Sequence, residues 1–138
     1  MVRKVLKVYH TVEEQIVELD HIDEKGSWLS LINPSEEEIK RVSGKTGITH
    51  DFLKHPLDNE ERPRIEVEPG QFLIIIKVPV ERGSEGSVIY DTIPLGIIIT
   101  KDYLVTVCLD DHPIFSQLLN EPVLYTFKKT RFLLLVLI

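Results

Sequence analysis

The stretch LDNEERPRIEVEPGQFLIIIKV, residues 57–78, joins a dense run of charge to an apolar run. Acidic and amide residues at 58–61 precede the triplet Arg62-Pro63-Arg64, and the apolar residues follow. Pro63 disfavours helical backbone at the residue before it, so a helix that reaches this point must give way to extended chain. The near-continuous apolar segment 72–80 predicts a strand in a sheet that is covered on both faces. The stretch therefore predicts a hinge between a helix and a sheet.

The residues before this hinge predict three strands and two helices. Partial alternation of apolar residues indicates strands at 2–9, near a sheet edge, at 15–19 and at 28–31. Ser35 and Glu38 form the S-x-x-E pattern of a capping box, which predicts a helix that ends at Gly47. Thr49 is a suitable cap for a second, shorter helix with Pro56 near its end.

The residues after the hinge complete an α+β pattern. Two more strands are predicted at 87–99 and 103–109, followed by a helix at about 113–120 and another beginning near Lys128. Strands that are grouped with pairs of helices, instead of alternating strictly with them, indicate a mixed β-sheet flanked by helices, an αβα sandwich. A chain of 138 residues is sufficient for one such domain, spanning 1–138.

Composition excludes several classes of protein. The formal net charge of −6 argues against nucleic acid as a partner, because phosphate neutralisation needs a basic face. The single cysteine, Cys108, lies in an apolar run and is predicted to be a buried structural thiol in a reducing compartment. The start of the chain lacks the apolar core and the cleavage site of a secretory signal.

The end of the chain is its most apolar part. Residues 132–138, FLLLVLI, are too few to cross a bilayer, which takes about 20 apolar residues. Because the sequence stops within an apolar pattern, we expect truncation of a longer protein. We also expect self-association of this fragment through the apolar patch that missing packing partners would leave exposed.

The charged side chains could in principle serve a metal-dependent reaction. A standalone metal-dependent hydrolase would use Asp58, Glu60 and Glu61 together with Asp110-Asp111-His112, which requires that these groups converge around a metal-bound water. The simpler interpretation is structural: Asp111 or His112 as a turn residue or helix cap, and Glu60 and Glu61 paired with the neighbouring arginines. His50 and His55 are five residues apart, which places them on different sides of a helix and not at metal-ligand spacing.

A resemblance to a known family rests on motifs in a fixed order. The first is Trp28-Leu29-x-Leu31-x-x-Pro34-Ser35-x-Glu37-Glu38, with Gly47-Ile48 after it. The hinge segment from Leu57-Asp58 through Glu60-Glu61-Arg62-Pro63-Arg64-Ile65-Glu66 follows, and then Ile93-Pro94-Leu95-Gly96 and Tyr103-Leu104-Val105-Thr106-Val107. In this order the chain resembles the N-terminal cytoplasmic domain of the CorA family of magnesium transporters. Its family-motif residues are Trp28, Pro34, Glu38, Arg62 and Pro63.

The resemblance implies a role in magnesium or other divalent cation transport and no enzymatic activity. It implies a regulatory domain at the cytoplasmic face of the cell membrane, one member of a pentameric ring, in which ions at the domain borders control gating. A stalk helix and two transmembrane helices would follow it, so contact with the membrane would come only through that C-terminal part. The Gly-Met-Asn triplet of the family is absent from these residues.

The resemblance also raises a question about Mg²⁺. Family members with a regulatory Mg²⁺ site often take carboxylates from the helix before the Arg-Pro motif, and that acidic pair falls at Lys54 and His55 here. An ammonium and an imidazole are poor ligands for Mg²⁺, which prefers oxygen. Asp51 and Asp58 flank the position and are the candidate metal ligands, with capping or surface roles as the alternative. We expect the isolated domain to bind Mg²⁺ weakly or not at all.

Overall fold

The computed structural model describes residues 5–13, 15–83, 86 and 88–120. In that part of the chain the strands are β1 Val5–Val12, β2 Gln15–Leu19, β3 Ser27–Ile32, β4 Arg64–Glu68, β5 Gln71–Arg82, β6 Ile89–Thr100 and β7 Tyr103–Cys108. The α-helices are α1 Glu36–Thr46, α2 His50–Lys54 and α3 Pro113–Leu119, and a 3₁₀ turn at His55–Leu57 follows α2 directly. None of the helices in these residues is long and apolar enough to cross a membrane.

The strands form one mixed sheet in the order β2-β1-β3-β7-β6-β5-β4. The central pair, β3 and β7, is parallel, while the other neighbouring pairs are antiparallel. This arrangement brings β3, which precedes all three helices, next to the last strand, β7. The mixed sheet predicted from the sequence is confirmed.

Side chains alternate between two buried layers, one on each face of the sheet. Leu29 and Leu31 of β3 face the layer built with α1 and α2, whereas Trp28 faces the layer built with α3. The Trp28 ring lies against Phe115 of α3 with 6.2 Å between ring centroids, and its Nε1 donates a hydrogen bond to Thr106 Oγ1 at 3.0 Å. Helices therefore cover both faces, as expected for an αβα sandwich.

Local signals explain the helix ends. At the start of α1 the Ser35 hydroxyl accepts from the Glu38 amide at 3.2 Å, and the Glu38 carboxylate accepts from the Ser35 amide at 2.9 Å. At its end Gly47 adopts a φ of 79°, which favours glycine. Thr49 caps α2 by accepting from the Phe52 amide at 3.3 Å. Each of these capping predictions is confirmed.

The region around the predicted strand at 72–80 differs from the expectation. The charged stretch does not run into a single strand: it forms the separate edge strand β4, which turns back at Pro69-Gly70 into β5. Gly70 has a φ of 76°, the left-handed conformation that such a tight turn requires. Pro69-Gly70 lies before the apolar run and is a turn-forming dipeptide, so the sequence did carry a signal for this turn.

Other boundaries shift by a few residues. The first strand continues to Val12 and lies one position in from the sheet edge, which β2 occupies. The predicted helix near Lys128 and the apolar segment 132–138 lie outside the described residues, as do residues 2–4 and Ser87. Cys108 is buried, as predicted.

Candidate functional site at the helix-to-sheet hinge

The hinge between α2 and β4 rests on the middle of the sheet. Pro56 of the 3₁₀ turn is buried against β6 at Gly96, where an added Cβ would overlap Pro56 Cγ and lie 2.9 Å from its Cβ. Because only glycine leaves room for this approach, the turn lies directly on the sheet. The chain then leaves the turn at Asp58 and enters β4 at Arg64.

Asp58 holds the loop that follows the turn. Its Oδ1 accepts from the Glu60 amide at 2.9 Å, and its carbonyl oxygen accepts from the Glu61 amide at 3.0 Å. On the other side of the loop the Lys77 ammonium of β5 donates to the Asn59 carbonyl at 3.0 Å. The acids at 58–61 are therefore arranged by backbone hydrogen bonds as well as by charge, and the loop has a defined shape.

Arg64 is the centre of a half-buried ion cluster at the start of β4. Its guanidinium forms an ion pair with Glu61, and its Nε lies 3.4 Å from Glu66 Oε1. The hydrogen bond to Glu61 is the main reason that the pKa of Arg64 is raised above its ordinary value, and the charge of Glu66 acts in the same direction. The cluster fixes one end of β4 to the loop that precedes it.

His55 connects this cluster to the helix. Its Nδ1 lies 3.2 Å from Glu66 Oε2 and 3.2 Å from Arg64 Nη2. When Nδ1 carries a proton it can donate to Glu66, and when it does not it can accept from Arg64. The two contacts are alternatives, because Nδ1 can act as a donor or as an acceptor but not as both at once.

A second ion pair connects the two helices of this layer. Lys54 Nζ lies 2.7 Å from Glu36 Oε1, which joins the end of α2 to the start of α1. The hydrogen bond from Lys54 lowers the pKa of Glu36. Glu36 and Glu66 are thus the partners of Lys54 and His55. Sequence reasoning missed both pairings because they join residues distant in the chain; opposite charge was the only signal.

The family model described as a CorA-like Mg²⁺ transporter protein matches residues 23–135. The chain belongs to the CorA family. A curated relative, the cobalt/magnesium transport protein CorA of Methanocaldococcus jannaschii, is 32% identical over 99 residues, 72% of this chain and 30% of that protein.

Two solved structures from the same organism resemble this CorA-family chain. The soluble domain of CorA from Methanocaldococcus jannaschii gives a TM-score of 0.74 at 27% identity over 97% of this chain and 54% of that one. The complete CorA magnesium transporter gives 0.68 at 29% identity over 86% of this chain and 36% of that one. The chain therefore spans 30% of the curated relative and about half of the soluble domain.

The five CorA-motif residues lie at different places in the fold. Trp28 and Pro34 are buried, and Glu38 completes the capping box of α1. Arg62 and Pro63 are exposed at the point where the hinge becomes β4. The motif residues therefore lie in the core, at a helix cap and at the hinge. The two charged ones, Glu38 and Arg62, lie in different parts of the fold.

The candidate metal ligands of this CorA-family domain lie on the surface. Asp51 is exposed in the first turn of α2, and Asp58 is an exposed turn residue. Among the described residues no group of three His, Cys, Asp or Glu side chains is placed to hold a metal ion. Asp51 and Asp58 stay predictions as Mg²⁺ ligands.

The second acidic segment has its own structural partners. Asp110 Oδ2 lies 2.8 Å from Arg82 Nη2, and the Asp111 carboxylate accepts from the His112 amide at 2.9 Å. His112 Nδ1 accepts from the Ile114 amide at 3.1 Å and so caps α3. Since the described part of the chain contains no metal-ligating group of three, the hydrolase interpretation gains no support from the structure.

Proposed function

We propose that this chain is the N-terminal cytoplasmic domain of a CorA-like transporter of Mg²⁺ or a related divalent cation, with a regulatory and not a catalytic role. The observation that carries the proposal is the likeness to the CorA soluble domain over 97% of the chain at 27% identity. The match of residues 23–135 to the CorA-like Mg²⁺ transporter family supports it. In the whole protein a stalk and two membrane-spanning helices would follow this domain at the cytoplasmic face of the membrane.

The proposed mechanism is mechanical. Copies of the domain would form a pentameric ring, and ions bound where neighbouring copies meet would favour one arrangement of that ring in proportion to their occupancy. Such a device needs a domain that moves as a rigid body. The Lys54–Glu36 pair joins α1 to α2, and the contacts of His55 with Glu66 and Arg64 join the end of α2 to β4, which supports this requirement.

The test uses the complete reading frame that contains this sequence. The full-length protein, reconstituted in vesicles with a Mg²⁺-sensitive dye inside, is expected to conduct Mg²⁺ and to respond to Mg²⁺ on the side where this domain lies. A matched protein with Arg64→Met is expected to conduct but to show a weakened response. A reading frame without membrane-spanning segments, or vesicles with no flux of any divalent cation, would overturn the proposal.

A further inference from the structure

Strand β4 lies at one edge of the sheet. In the described part of the chain it pairs on one side only, with β5. Two of its apolar side chains are unusually exposed, Ile65 at 68% and Val67 at 64%. An edge strand with free backbone groups and exposed apolar side chains is a template for another strand.

The charges of this edge are ordered in a self-complementary way. Along the chain, Arg62 and Arg64 precede Ile65, and Glu66 and Glu68 follow it. If a second copy pairs antiparallel with Ile65 opposite Ile65, Arg64 lies opposite Glu66 of the second copy and Arg62 opposite Glu68 of the second copy. Because the contact is symmetric, each of these pairings occurs twice, and opposite charges meet at every one.

Other registers lose this match. Centring the contact on Glu66 brings Glu66 opposite its own copy, and centring it on Val67 brings Glu66 opposite Glu68. Centring it on Arg64 places two guanidinium groups face to face. Like charges directly opposite each other destabilise a strand pair, so the charge order selects the register centred on Ile65.

The two faces of the strand separate charge from apolar surface. Pairing with β5 places Arg64 opposite Ile75 and Glu66 opposite Leu73, both in the layer with α1 and α2. Ile65 and Val67 point to the other face, opposite Ile74 and Phe72. In the paired arrangement the ion pairs would line the face with α1 and α2. On the opposite face Ile65 would contact Ile65 of the second copy, and Val67 would contact Pro63 of the second copy.

We propose that the edge of β4, together with Arg62 and Pro63 that lead directly into it, is a self-association surface that takes the same edge of a second copy of this chain in antiparallel register. The contact is isologous and two-fold. It is therefore distinct from any ring contact of the proposed transporter, and it does not depend on that function.

A charge-swap experiment on the full 138-residue chain tests both the surface and its register. In the proposed register position 62 lies opposite position 68 of the second copy, and this contact occurs twice. The substitution Arg62→Glu would therefore place two carboxylates opposite each other at both contacts. The substitution Glu68→Arg would place two guanidinium groups there. Sedimentation velocity over a concentration series is expected to show a dimer for the wild type. Either variant is expected to associate about tenfold more weakly, since two exposed ion pairs become two repulsions. An equal mixture of the two variants is expected to recover wild-type affinity, because the swapped charges are again opposite.

The controls carry the same charge changes at exposed positions on α1. Lys40→Glu and Glu37→Lys are expected to associate like the wild type, and circular dichroism confirms that all variants are folded. A wild type that stays monomeric at several hundred micromolar overturns the proposal. The proposal is also overturned if neither charge swap changes the association. The contact would then lie elsewhere, for example at residues 132–138. Failure of the mixture to recover affinity would reject the register.

Discussion

Pro56 and Gly96 are in direct contact, although one belongs to the hinge and the other to the middle of β6. A Cβ at position 96 would overlap Pro56 Cγ and lie 2.9 Å from Pro56 Cβ. Neither partner can yield easily, because a proline ring cannot rotate away and β6 is paired on both sides at this point. The contact therefore sets the height of the hinge above the sheet.

Gly96→Ala should accordingly destabilise the domain. We expect a loss of about 1 to 3 kcal/mol in the free energy of unfolding, the usual cost of overpacking a core, measured by urea denaturation. Gly44→Ala is the matched control, since the added methyl group meets nothing within 4 Å and lies in α1. The control should stabilise the domain by about 0.5 to 1 kcal/mol. Equal stability of the two variants would contradict the contact.

The parts of the fold that were predictable depend on neighbouring residues. Capping by Ser35, Glu38 and Thr49 involves positions three apart, so sequence alone locates the starts of α1 and α2. The parallel pairing of β3 with β7 joins segments that are far apart in the chain, and apolar periodicity does not encode which strands become neighbours.

The contacts of the candidate site also divide into those between neighbours in the sequence, which were predictable, and those between distant residues, which were not. The Glu61–Arg64 pair was foreseeable from proximity in the sequence. Pro63 directly precedes β4, but it does not end the helix, because the 3₁₀ turn already ends at Leu57 and a loop follows it. The contact of His55 with Glu66 depends on the exact path of the loop through Asp58, and on β4 being a separate strand. A sequence interpretation that merged β4 with β5 could not place Glu66 beside α2.

Cys108 predicts a loss of stability at high pH. Burial, together with the charges of Asp111 and Asp110, raises the pKa of this thiol from 9.0 to about 12. The folded protein thus holds the proton that the unfolded chain releases above pH 9. Stability from this group is complete below pH 9 and declines between pH 9 and about 12, by about 1.4 kcal/mol per pH unit.

The measurement is the difference in unfolding free energy between the wild type and Cys108→Ala over this pH range. The variant should be less stable at neutral pH, because it leaves a cavity, but it lacks the ionisable group, so the two curves should converge as the pH rises. Parallel curves would show that the thiol ionises equally well in the folded protein. Alkylation of Cys108 should also require unfolding at pH 8.

The Arg64 cluster predicts that Arg64→Met weakens the hinge while keeping the apolar stem of the side chain. Glu61 and Glu66 would lose their shared cation, and we expect a loss of about 1 to 2 kcal/mol, because the three groups are about one-third exposed or less. Arg62→Met is the control, as its side chain is exposed two residues away. Urea denaturation of dilute protein provides the comparison, and about 1 M salt should reduce the difference. Equal effects of the two substitutions would reject the cluster as a stabilising unit.

The positions of Lys54 and His55 predict that Mg²⁺ binds this domain weakly. Lys54 already neutralises Glu36 at 2.7 Å, and Arg64 lies 3.4 Å from Glu66, so cations from the protein itself accompany the acids of this layer. Mg²⁺ would have to displace them with few oxygen ligands on offer, and it gives up its own water reluctantly. Calorimetric titration of the 138-residue chain with Mg²⁺ should show no site whose dissociation constant lies below the millimolar range.

Lys54→Glu provides the contrasting variant. It replaces the ammonium with a carboxylate beside Glu36, so two acids would share a site with no protein cation between them, and we expect measurably tighter Mg²⁺ binding. Lys54→Gln, which removes the same ammonium from Glu36 without adding a carboxylate, is the control. Sub-millimolar binding by the wild type that Asp58→Ala abolishes would contradict the prediction and establish Asp58 as a ligand. Equal Mg²⁺ affinity of the two Lys54 variants would show that a second carboxylate beside Glu36 does not create a Mg²⁺ site.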